Sequence, residues 1–374
     1  MNVVIIFTYD MSLRAWEEAG IIDRELNLYK QLAMAYGYRF TFVTFGDKSD
    51  MKYVSYVPNS QIIPIYKFSK YRKTKVIRFI KSFFIFIRIN KMIVKPNLIK
   101  TNQLMGFWVS LGIKFRYKCP LIIRTGYDIY EFSIKDNKSF LKKSLYYFLT
   151  QIGLLVSDVY SVTTNANRDF INKNFFLRKK KLIVTPNWVS KNMEINKFKD
   201  RKNAVISVGR MEKQKNYTYL IEEFADTNIS ISIIGEGSQK KDLEKFAIKK
   251  NTDVSFLKKI PNSELIELLS NYKYFVLPST FEGNPKVVLE AMAAGCVVLV
   301  NNFPGIDEIV TNEVDGYVFD AKRGRLLKLF NSIANNEQEL AEVSQNAVLK
   351  IDEKFSLNSY TEVENRLYLN LIDN

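Results

Sequence analysis

The sequence of 374 residues contains no histidine and only two cysteines, Cys119 and Cys296. Without histidine, Ser-His-Asp triads, Cys-His triads and histidine metal sites are excluded, and two separated cysteines cannot supply a structural zinc site. Both cysteines lie in apolar, strand-like contexts, which is typical of core residues in a cytosolic protein. Any acid–base chemistry must therefore come from carboxylates, lysine, tyrosine or the substrate.

Long hydrophobic runs are also missing. No apolar stretch reaches the roughly 18 to 20 residues that a membrane-spanning helix needs. The first residues, MNVVIIFTYD, form an apolar run of strand length without a preceding basic segment, so they do not predict a secretory signal. We therefore expect a globular, cytoplasmic protein, long enough for two domains.

Acidic residues are absent from one long segment. Residues 51–127 contain 16 Lys and Arg and no Asp or Glu, whereas the remaining 39 basic and 39 acidic residues cancel. The formal net charge of +16 therefore belongs to one part of the first half of the chain.

The densest part of this segment is residues 67–95. Treated as one helix, it has an apolar arc of Val, Ile and Phe, and on roughly the opposite face it places Lys75, Arg78, Ser82, Arg88 and Lys91. This pattern favours an interfacial helix that binds an anionic membrane surface, and a core-packing helix with a solvated basic face is the alternative. Basic stripes also occur in nucleic-acid-binding proteins, but no known module of that kind accompanies the charge, so no nucleic acid partner is predicted.

Strand-like runs alternate with helical runs through most of the chain, which predicts α/β units on parallel sheets. A polar stretch at 190–203 is the predicted hinge between two halves. In the first half, strands are predicted at 3–8, 40–45, 61–65, 97–101, 121–124, 158–163 and 182–185. In the second half, they are predicted at 204–208, 229–234, 254–257, 274–277 and 297–300.

The most informative motif lies after the strand at 274–277 and reads STFEGNPKVVLEAMAAG from Ser279 to Gly295. Asn284 suits the N-cap of a helix, Pro285 its first position, and Gly295 the left-handed residue past its end. Glu282 is therefore expected in a loop and Glu290 in the helix. The alternative is that both glutamates are ordinary solvated residues.

Free backbone N–H groups at 284–287 would lie at the carboxyl end of a strand, where α/β sheets bind phosphorylated ligands. Two carboxylates beside such an anion site are better suited to accept hydrogen bonds from neutral hydroxyls than to bind the anion itself. A nucleotide sugar, with ribose and hexose hydroxyls around a diphosphate, has this pattern. Upstream, Arg210 and Lys215 follow Gly209 after another strand and can converge on a diphosphate.

Taken in order, the motifs V-G-R-x4-K-N, I-G-E-G, P-S-x2-E-G-x-P-x4-L-E-A-M-A-A-G and E-I-V-x5-G resemble glycosyltransferase family 4, whose members are group 1 glycosyltransferases. The resemblance covers residues 187–320. It implies the GT-B fold, an α/β architecture of two Rossmann-like domains that face each other across a central cleft. Residues 1–190 would bind the acceptor, residues 200–354 would bind the donor, and a C-terminal helix at about 355–374 would pack back on the first domain.

The resemblance also implies roles for individual residues. Glu290 looks like the carboxylate that binds the donor ribose, and Glu282 like the one near the donor sugar. Arg210 and Lys215 match a diphosphate-binding pair that follows Gly209. The remaining donor-binding positions implied by the match are Gly283, Asn284, Pro285, Lys286, Val287 and, more loosely, Lys259 and Ile260.

The first half departs from the family pattern, because it lacks a Gly-Gly loop after the first strand and the histidine of the acceptor domain. Trp16 and Gly20 are predicted to take the role of that loop, and Arg124 and Asp128 lie where the histidine is usual. A turn capped by Asp128 is the alternative.

These observations predict a retaining, metal-independent glycosyltransferase without a cofactor, which moves a hexose from a UDP- or GDP-sugar to a glycan acceptor. The acceptor is expected to be lipid-linked, the pathway surface polysaccharide biosynthesis, and the location the inner face of the membrane. The alternative is a nucleotide-sugar epimerase or a non-catalytic sugar-nucleotide binder with the same fold.

Overall fold

The computed structural model describes residues 1–176, 181–190 and 195–373. Contacts divide the chain into two compact units. The N-terminal unit comprises Met1–Pro186 with Thr361–Asn374, and the C-terminal unit comprises Asn187–Tyr360. Residues 191–194 of the predicted hinge lie outside the described residues.

The N-terminal unit is built on a parallel sheet of seven strands in the order β3-β2-β1-β4-β5-β6-β7. Its inner strands are buried almost along their whole length, as expected for parallel strands covered on both faces. Their bounds are β1 Asn2–Ile6, β2 Arg39–Thr44, β3 Ser60–Pro64, β4 Leu98–Thr101, β5 Leu121–Arg124, β6 Val159–Val162 and β7 Lys181–Val184.

Helices connect these strands, together with a 3-10 helix at Lys48–Tyr56. Their bounds are α1 Leu13–Glu18, α2 Ile22–Tyr36, α3 Ile65–Phe68, α4 Lys75–Ser82, α5 Ile85–Ile89, α6 Phe107–Tyr117, α7 Ile129–Lys135, α8 Phe140–Val156 and α9 Asn165–Asn174. Buried residues of α5, α6, α8 and α9 share one core with the strand side chains on one face of the sheet. These four helices therefore form a single layer on that face.

The C-terminal unit has a parallel sheet of six strands in the order β10-β9-β8-β11-β12-β13. The strands are β8 Lys202–Val208, β9 Ile231–Ile234, β10 Val254–Leu257, β11 Tyr272–Leu277, β12 Val297–Asn301 and β13 Tyr317–Phe319. The α-helices are α10 Tyr217–Glu223, α11 Lys240–Lys249, α12 Asn262–Leu269, α13 Lys286–Ala293, α14 Arg325–Ile333 and α15 Glu337–Lys350. Short 3-10 helices occur at Phe198–Asp200 and Lys213–Lys215, and a π-helix at Ile351–Phe355.

A last helix, α16 (Leu357–Ile372), carries the chain back to the N-terminal unit. Glu364 on α16 forms an ion pair with Lys100 of β4, and both side chains are only 2% exposed. Tyr368 stacks on Tyr38 with ring centroids 6.0 Å apart. Burial by itself would raise the pKa of Glu364, but the charge and hydrogen bond of Lys100 outweigh it and hold the pKa below its usual range.

The basic-aromatic segment 67–95 differs from the single amphipathic helix that the sequence predicts. It contains two short helices, α4 and α5, which are interrupted at Phe83 and Phe84. Two members of the predicted solvated face are buried: Arg78 donates to Asp10 at 2.5 Å, and Ser82 accepts from Trp108 Nε1 at 2.9 Å. The expected orientation is wrong because these long-range partners hold the polar side chains inward.

Several hydrophobic residues of the same segment are exposed, whereas Ile85 and Ile89 are buried in the core. Val76, Ile80, Phe84 and Ile87 are each more than half exposed, and Phe83 is 44% exposed. Exposed lysines and arginines stand among them, so the outer surface is both apolar and basic. Within residues 1–176, 181–190 and 195–373, no helix has the length and hydropathy to cross a membrane.

Candidate functional site

The motif residues of the C-terminal unit meet at the carboxyl ends of β8 and β11, which are neighbours in the sheet. Lys215 ends the short 3-10 helix after β8, and Glu282 lies in the loop after β11. Lys215 Nζ donates to Glu282 Oε1 at 2.6 Å, and the two side chains are 12% and 13% exposed. The pair therefore brings together a cation and a carboxylate that are 67 residues apart in the sequence.

The two loops that carry this pair are also joined through Gln214. Thr280 N donates to the carbonyl oxygen of Gln214 at 2.9 Å, and Gln214 Nε2 donates to the carbonyl oxygen of Phe281 at 2.5 Å. Since both loops are fixed to each other by backbone groups, the positions of Lys215 and Glu282 are set by the fold and not by their own attraction alone.

Gly209 allows Lys215 to reach this position. A Cβ atom at Gly209 would lie 2.8 Å from Lys215 Cε and 3.1 Å from the hydroxyl oxygen of Tyr217. Burial raises the pKa of Tyr217. The glycine of the V-G-R motif therefore makes room for the lysine side chain that crosses over it.

The glycines of the I-G-E-G motif pack against the same turn. A Cβ atom at Gly235 would lie 2.1 Å from the carbonyl oxygen of Gly209, and one at Gly237 would lie 2.4 Å from that of Met211. The amides of Gly209 and Met211 donate to the carbonyl oxygens of Ile234 and Glu236, each at 2.9 Å. The two motifs, 26 residues apart, are thus one structure in which only glycine lets the two backbones approach.

Glu290 lies within α13, as the sequence predicts, and its side chain is buried at 2% exposure. Asn262 Nδ2 donates to Glu290 Oε1 at 2.7 Å. The alternative that Glu290 is an exposed helix residue is therefore wrong, and Glu282 is not a solvated loop residue either. A carboxylate is costly to bury and needs hydrogen-bond donors, which makes Glu290 suited to accept one from a ligand hydroxyl.

The start of α13 corrects one prediction. The N-cap is Pro285 and the first helical residue is Lys286, so Asn284 is not the cap. Asn284 is instead buried and binds Asn187, whose backbone N–H donates to Asn284 Oδ1 at 3.2 Å and whose Nδ2 donates to its carbonyl oxygen at 2.7 Å. Gly295 has φ 73° just past the end of α13, which confirms the predicted left-handed residue.

The other predicted donor-site positions lie at the start of α13 and in the loops after β8 and β10. Lys286 places its Nζ 4.3 Å from the ring centre of Trp188. Gly283 is buried, and Val287 and Ile260 are half-buried against the same hydrophobic cluster. Arg210, directly after β8, and Lys259, after β10, are exposed.

Two of the predicted acceptor residues lie around α1. Trp16 is buried and stacks on Phe7 with centroids 4.3 Å apart, so its ring is part of the core of the N-terminal unit. Gly20 follows α1 with φ 62°, a conformation that favours glycine. Participation of either residue in acceptor binding stays a prediction.

Arg124 and Asp128 lie at and beyond the carboxyl end of β5, and both are buried. Asp128 is the N-cap of α7, where its carboxylate accepts from Glu131 N at 2.7 Å and from Thr150 Oγ1 at 3.3 Å. Burial raises the pKa of Asp128 to about 6. The structure thus gives Asp128 the capping role, and a role toward the acceptor stays a prediction.

Sequence reasoning missed the residues that hold the motif in place. Asn262 beside Glu290, Gln214 between the loops and Asn187 against Asn284 each make their contacts across 28 to 97 residues of sequence. No local pattern marks them, because their role depends on which strands become neighbours.

The fold defines the class of protein. The solved structure of sucrose-phosphate synthase from Thermosynechococcus elongatus superposes with a TM-score of 0.80 at 14% identity, covering 100% of this chain and 99% of that one. Two parallel sheets in separate units and this likeness confirm the predicted GT-B fold.

The sequence of the C-terminal unit is similar to a known family. Residues 189–349 match the model of the family described as "Glycosyl transferases group 1". This match confirms the resemblance on which the site prediction rests, and it covers most of the C-terminal unit.

Two curated bacterial proteins are similar to this chain in sequence. One is the GalNAc-alpha-(1->4)-GalNAc-alpha-(1->3)-diNAcBac-PP-undecaprenol alpha-1,4-N-acetyl-D-galactosaminyltransferase of Campylobacter jejuni, 23% identical over 63% of this chain and 65% of that protein. The other is the UDP-Gal:alpha-D-GlcNAc-diphosphoundecaprenol alpha-1,3-galactosyltransferase of Escherichia coli, 24% identical over 68% of this chain and 70% of that protein. In each case about a third of the relative is unmatched.

Proposed function

We propose that the protein is a glycosyltransferase that moves a sugar from a UDP- or GDP-sugar to a hydroxyl of a lipid-linked glycan in surface polysaccharide assembly. The observation that carries the proposal is the pairing of Lys215 with Glu282 beside Gly209, in a domain of the group 1 family. The names of the two bacterial relatives support the acceptor class, since both describe diphosphate-linked undecaprenol acceptors.

In this proposal the donor diphosphate lies at the carboxyl ends of β8 and β11. Lys215 and the exposed Arg210 neutralise the negative charge that grows on the leaving nucleotide, which stabilises the transition state. Glu290 accepts a hydrogen bond from the ribose, and Glu282 lies near the donor sugar. Backbone N–H groups at the start of α13 face the phosphates or the sugar.

The chemistry proposed is a same-face transfer that retains anomeric configuration and uses no metal. The bond between the anomeric carbon and the leaving phosphate oxygen breaks as the acceptor oxygen bonds to that carbon on the same face. The acceptor proton passes to the leaving phosphate, which suits a chain that contains no histidine base.

The proposed location is the inner face of the membrane, reached through residues 67–95. The exposed apolar side chains of α4 and α5, with Lys75, Lys81 and Arg88 exposed among them, suit an anionic lipid surface. Lipid-linked acceptors would be presented at that same surface.

The test is a transfer assay with a panel of UDP- and GDP-sugars and an undecaprenyl-diphosphate-linked glycan, with and without EDTA. We expect product in both conditions, and a loss of turnover by orders of magnitude in Glu282→Ala and in Lys215→Ala. Lys213→Ala is the matched control, because Lys213 is an exposed lysine of the same 3-10 helix.

Near-normal transfer by both variants would refute the assignment, and loss of activity in EDTA that added metal restores would refute the metal-free mechanism. Conversion of the donor without any acceptor would identify an epimerase. Binding of a nucleotide sugar without turnover in any combination would identify a non-catalytic binder.

A further inference from the structure

Helix α8 of the N-terminal unit carries an exposed hydrophobic stripe. Leu141, Leu145, Phe148, Ile152 and Leu155 are all exposed, and they follow one another at intervals of four and three residues. This spacing places them in one line along a helix of 17 residues, about 25 Å long. At its start the stripe is widened by Phe140, which is 81% exposed.

The opposite face of α8 is already used. Leu149 and Leu154 are buried in the core of the unit, and a Cβ atom at Gly153 would lie 2.7 Å from Leu104 Cδ1. The helix is therefore held against the sheet by one face, and its hydrophobic outer face is not needed for that packing.

The exposed hydrophobic residues are concentrated in this unit. Among the described residues, the large hydrophobic side chains that are exposed in the C-terminal unit are Ile248, Leu257, Val314 and Leu349. All the others lie in the N-terminal unit, and many of them are on α4, α5 and α8. An apolar surface of this extent marks an interaction site.

Charge indicates the partner. Residues 137–157 contain Lys138, Lys142 and Lys143 and no Asp or Glu. Lys138 already pairs with Asp136 at 3.2 Å, and a parallel pairing of two copies of α8 along the stripe would bring the lysines of the first turn together without an acidic residue on the helix to pair with them. An anionic lipid surface complements the lysines and at the same time accepts the hydrophobic side chains.

We infer that the outer face of α8 inserts into the interfacial layer of an anionic lipid bilayer, as a contact separate from residues 67–95. The stripe then lies at the depth of the acyl-chain boundary, and the exposed Lys142, which flanks the stripe, faces the phospholipid headgroups. The inference does not depend on the proposed sugar transfer, since lipid binding is measured without donor or acceptor.

Insertion can be observed directly with a dye attached to the helix. Both native cysteines are buried, so a cysteine introduced by Phe148→Cys can be labelled selectively with an environment-sensitive fluorophore. We expect a blue shift with vesicles of phosphatidylcholine and phosphatidylglycerol in equal parts. The matched control is Ile248→Cys, on the C-terminal unit at 83% exposure, which should show no shift.

Binding strength is measured by co-sedimentation with the same vesicles. A lysine near an anionic surface contributes a factor of about five, so Lys142→Gln should weaken partitioning about five-fold. The control Lys240→Gln/Lys241→Gln, on the C-terminal unit, should leave it unchanged. The variant Phe140→Ser/Leu141→Ser/Phe148→Ser should also weaken binding, while its thermal unfolding stays close to that of the wild type because these side chains are exposed.

Two results would overturn the inference. One is the absence of a blue shift from the label at Phe148→Cys although the protein sediments with vesicles. This result would leave residues 67–95 as the membrane contact. The other is a lipid-free dimer in analytical ultracentrifugation that the triple serine variant dissociates, which would identify a second copy of the chain as the partner.

Discussion

The two partners of the Lys215–Glu282 ion pair should have opposite effects on nucleotide binding. If Lys215 binds the donor diphosphate, it must give up part of its contact with Glu282, whose carboxylate Oε1 lies 2.6 Å away. Glu282 then competes for the lysine and repels the diphosphate at short range. Removing the cation should weaken UDP or GDP binding, and removing the anion should not.

The expected loss of nucleotide affinity follows from the strength of the hydrogen bond that Lys215 would donate to the diphosphate. A hydrogen bond to a charged group contributes about 1.5–3 kcal/mol, so Lys215→Met should weaken binding of the preferred nucleotide about 10- to 150-fold. Lys215→Arg, which keeps the charge, should recover part of the loss. Glu282→Gln should bind the nucleotide at least as tightly as the wild type, although sugar transfer falls.

The assay is isothermal titration calorimetry with UDP and GDP, together with thermal unfolding of each variant to check the fold. A purely structural ion pair would give a different pattern, in which both variants lose stability and both bind the nucleotide more weakly. If Glu282→Gln keeps its fold and binds the nucleotide more weakly than the wild type, the proposed repulsion between the Glu282 carboxylate and the diphosphate is refuted.

Three further predictions concern stability. Lys100→Met should lower the free energy of unfolding in urea by about 3–5 kcal/mol, because it leaves the Glu364 carboxylate buried and unpaired. The double variant Lys100→Met/Glu364→Met should recover most of that loss. Equal losses of stability in both variants would contradict this prediction. Asp128→Asn should be more stable than the wild type by about 2–3 kcal/mol at pH 7 and equally stable near pH 4. The pKa of the native carboxyl is raised to about 6, so the free energy of unfolding of the wild type falls as pH rises from about 4 to 6. A difference that does not change with pH would contradict this prediction. Gly235→Ala should lower the free energy of unfolding by more than about 3 kcal/mol, because the added Cβ would lie 2.1 Å from a backbone oxygen. The control Gly37→Ala, with φ 67° and open space around its Cβ, should lower it by about 1–2 kcal/mol. Similar losses of stability in both variants would show that the turns at Gly209 and Gly235 can move apart.

The parallel strands could be predicted because each is a short run of β-branched and aromatic residues between turn signals. Strand β13 was missed because its run of aromatic and β-branched residues, Tyr317–Phe319, is only three residues long. The C-terminal helix, which the resemblance implies at about 355–374, is α16 at Leu357–Ile372.

Side-chain orientation was harder to predict where a distant partner decides it. Arg78 turns inward because Asp10, 68 residues earlier, binds it, and no periodicity within α4 contains that information. The orientation of Trp16 is likewise set by a partner outside its own helix, since its ring stacks on Phe7 of the loop after β1. In the donor-site motif the local signals were stronger, and only the helix start shifted by one residue, from Pro285 to Lys286.

The return of α16 to the N-terminal unit also sets an order of events during synthesis. Lys100 leaves the ribosome 264 residues before Glu364, which at about 5–20 residues per second is a delay of roughly 13 to 53 seconds. Throughout this interval the emerging N-terminal unit holds a lysine in its core without the carboxylate that neutralises it. The C-terminal unit, which ends at residue 360, has all of its residues first. The unit whose synthesis begins first is therefore the last to have all of its residues available for folding.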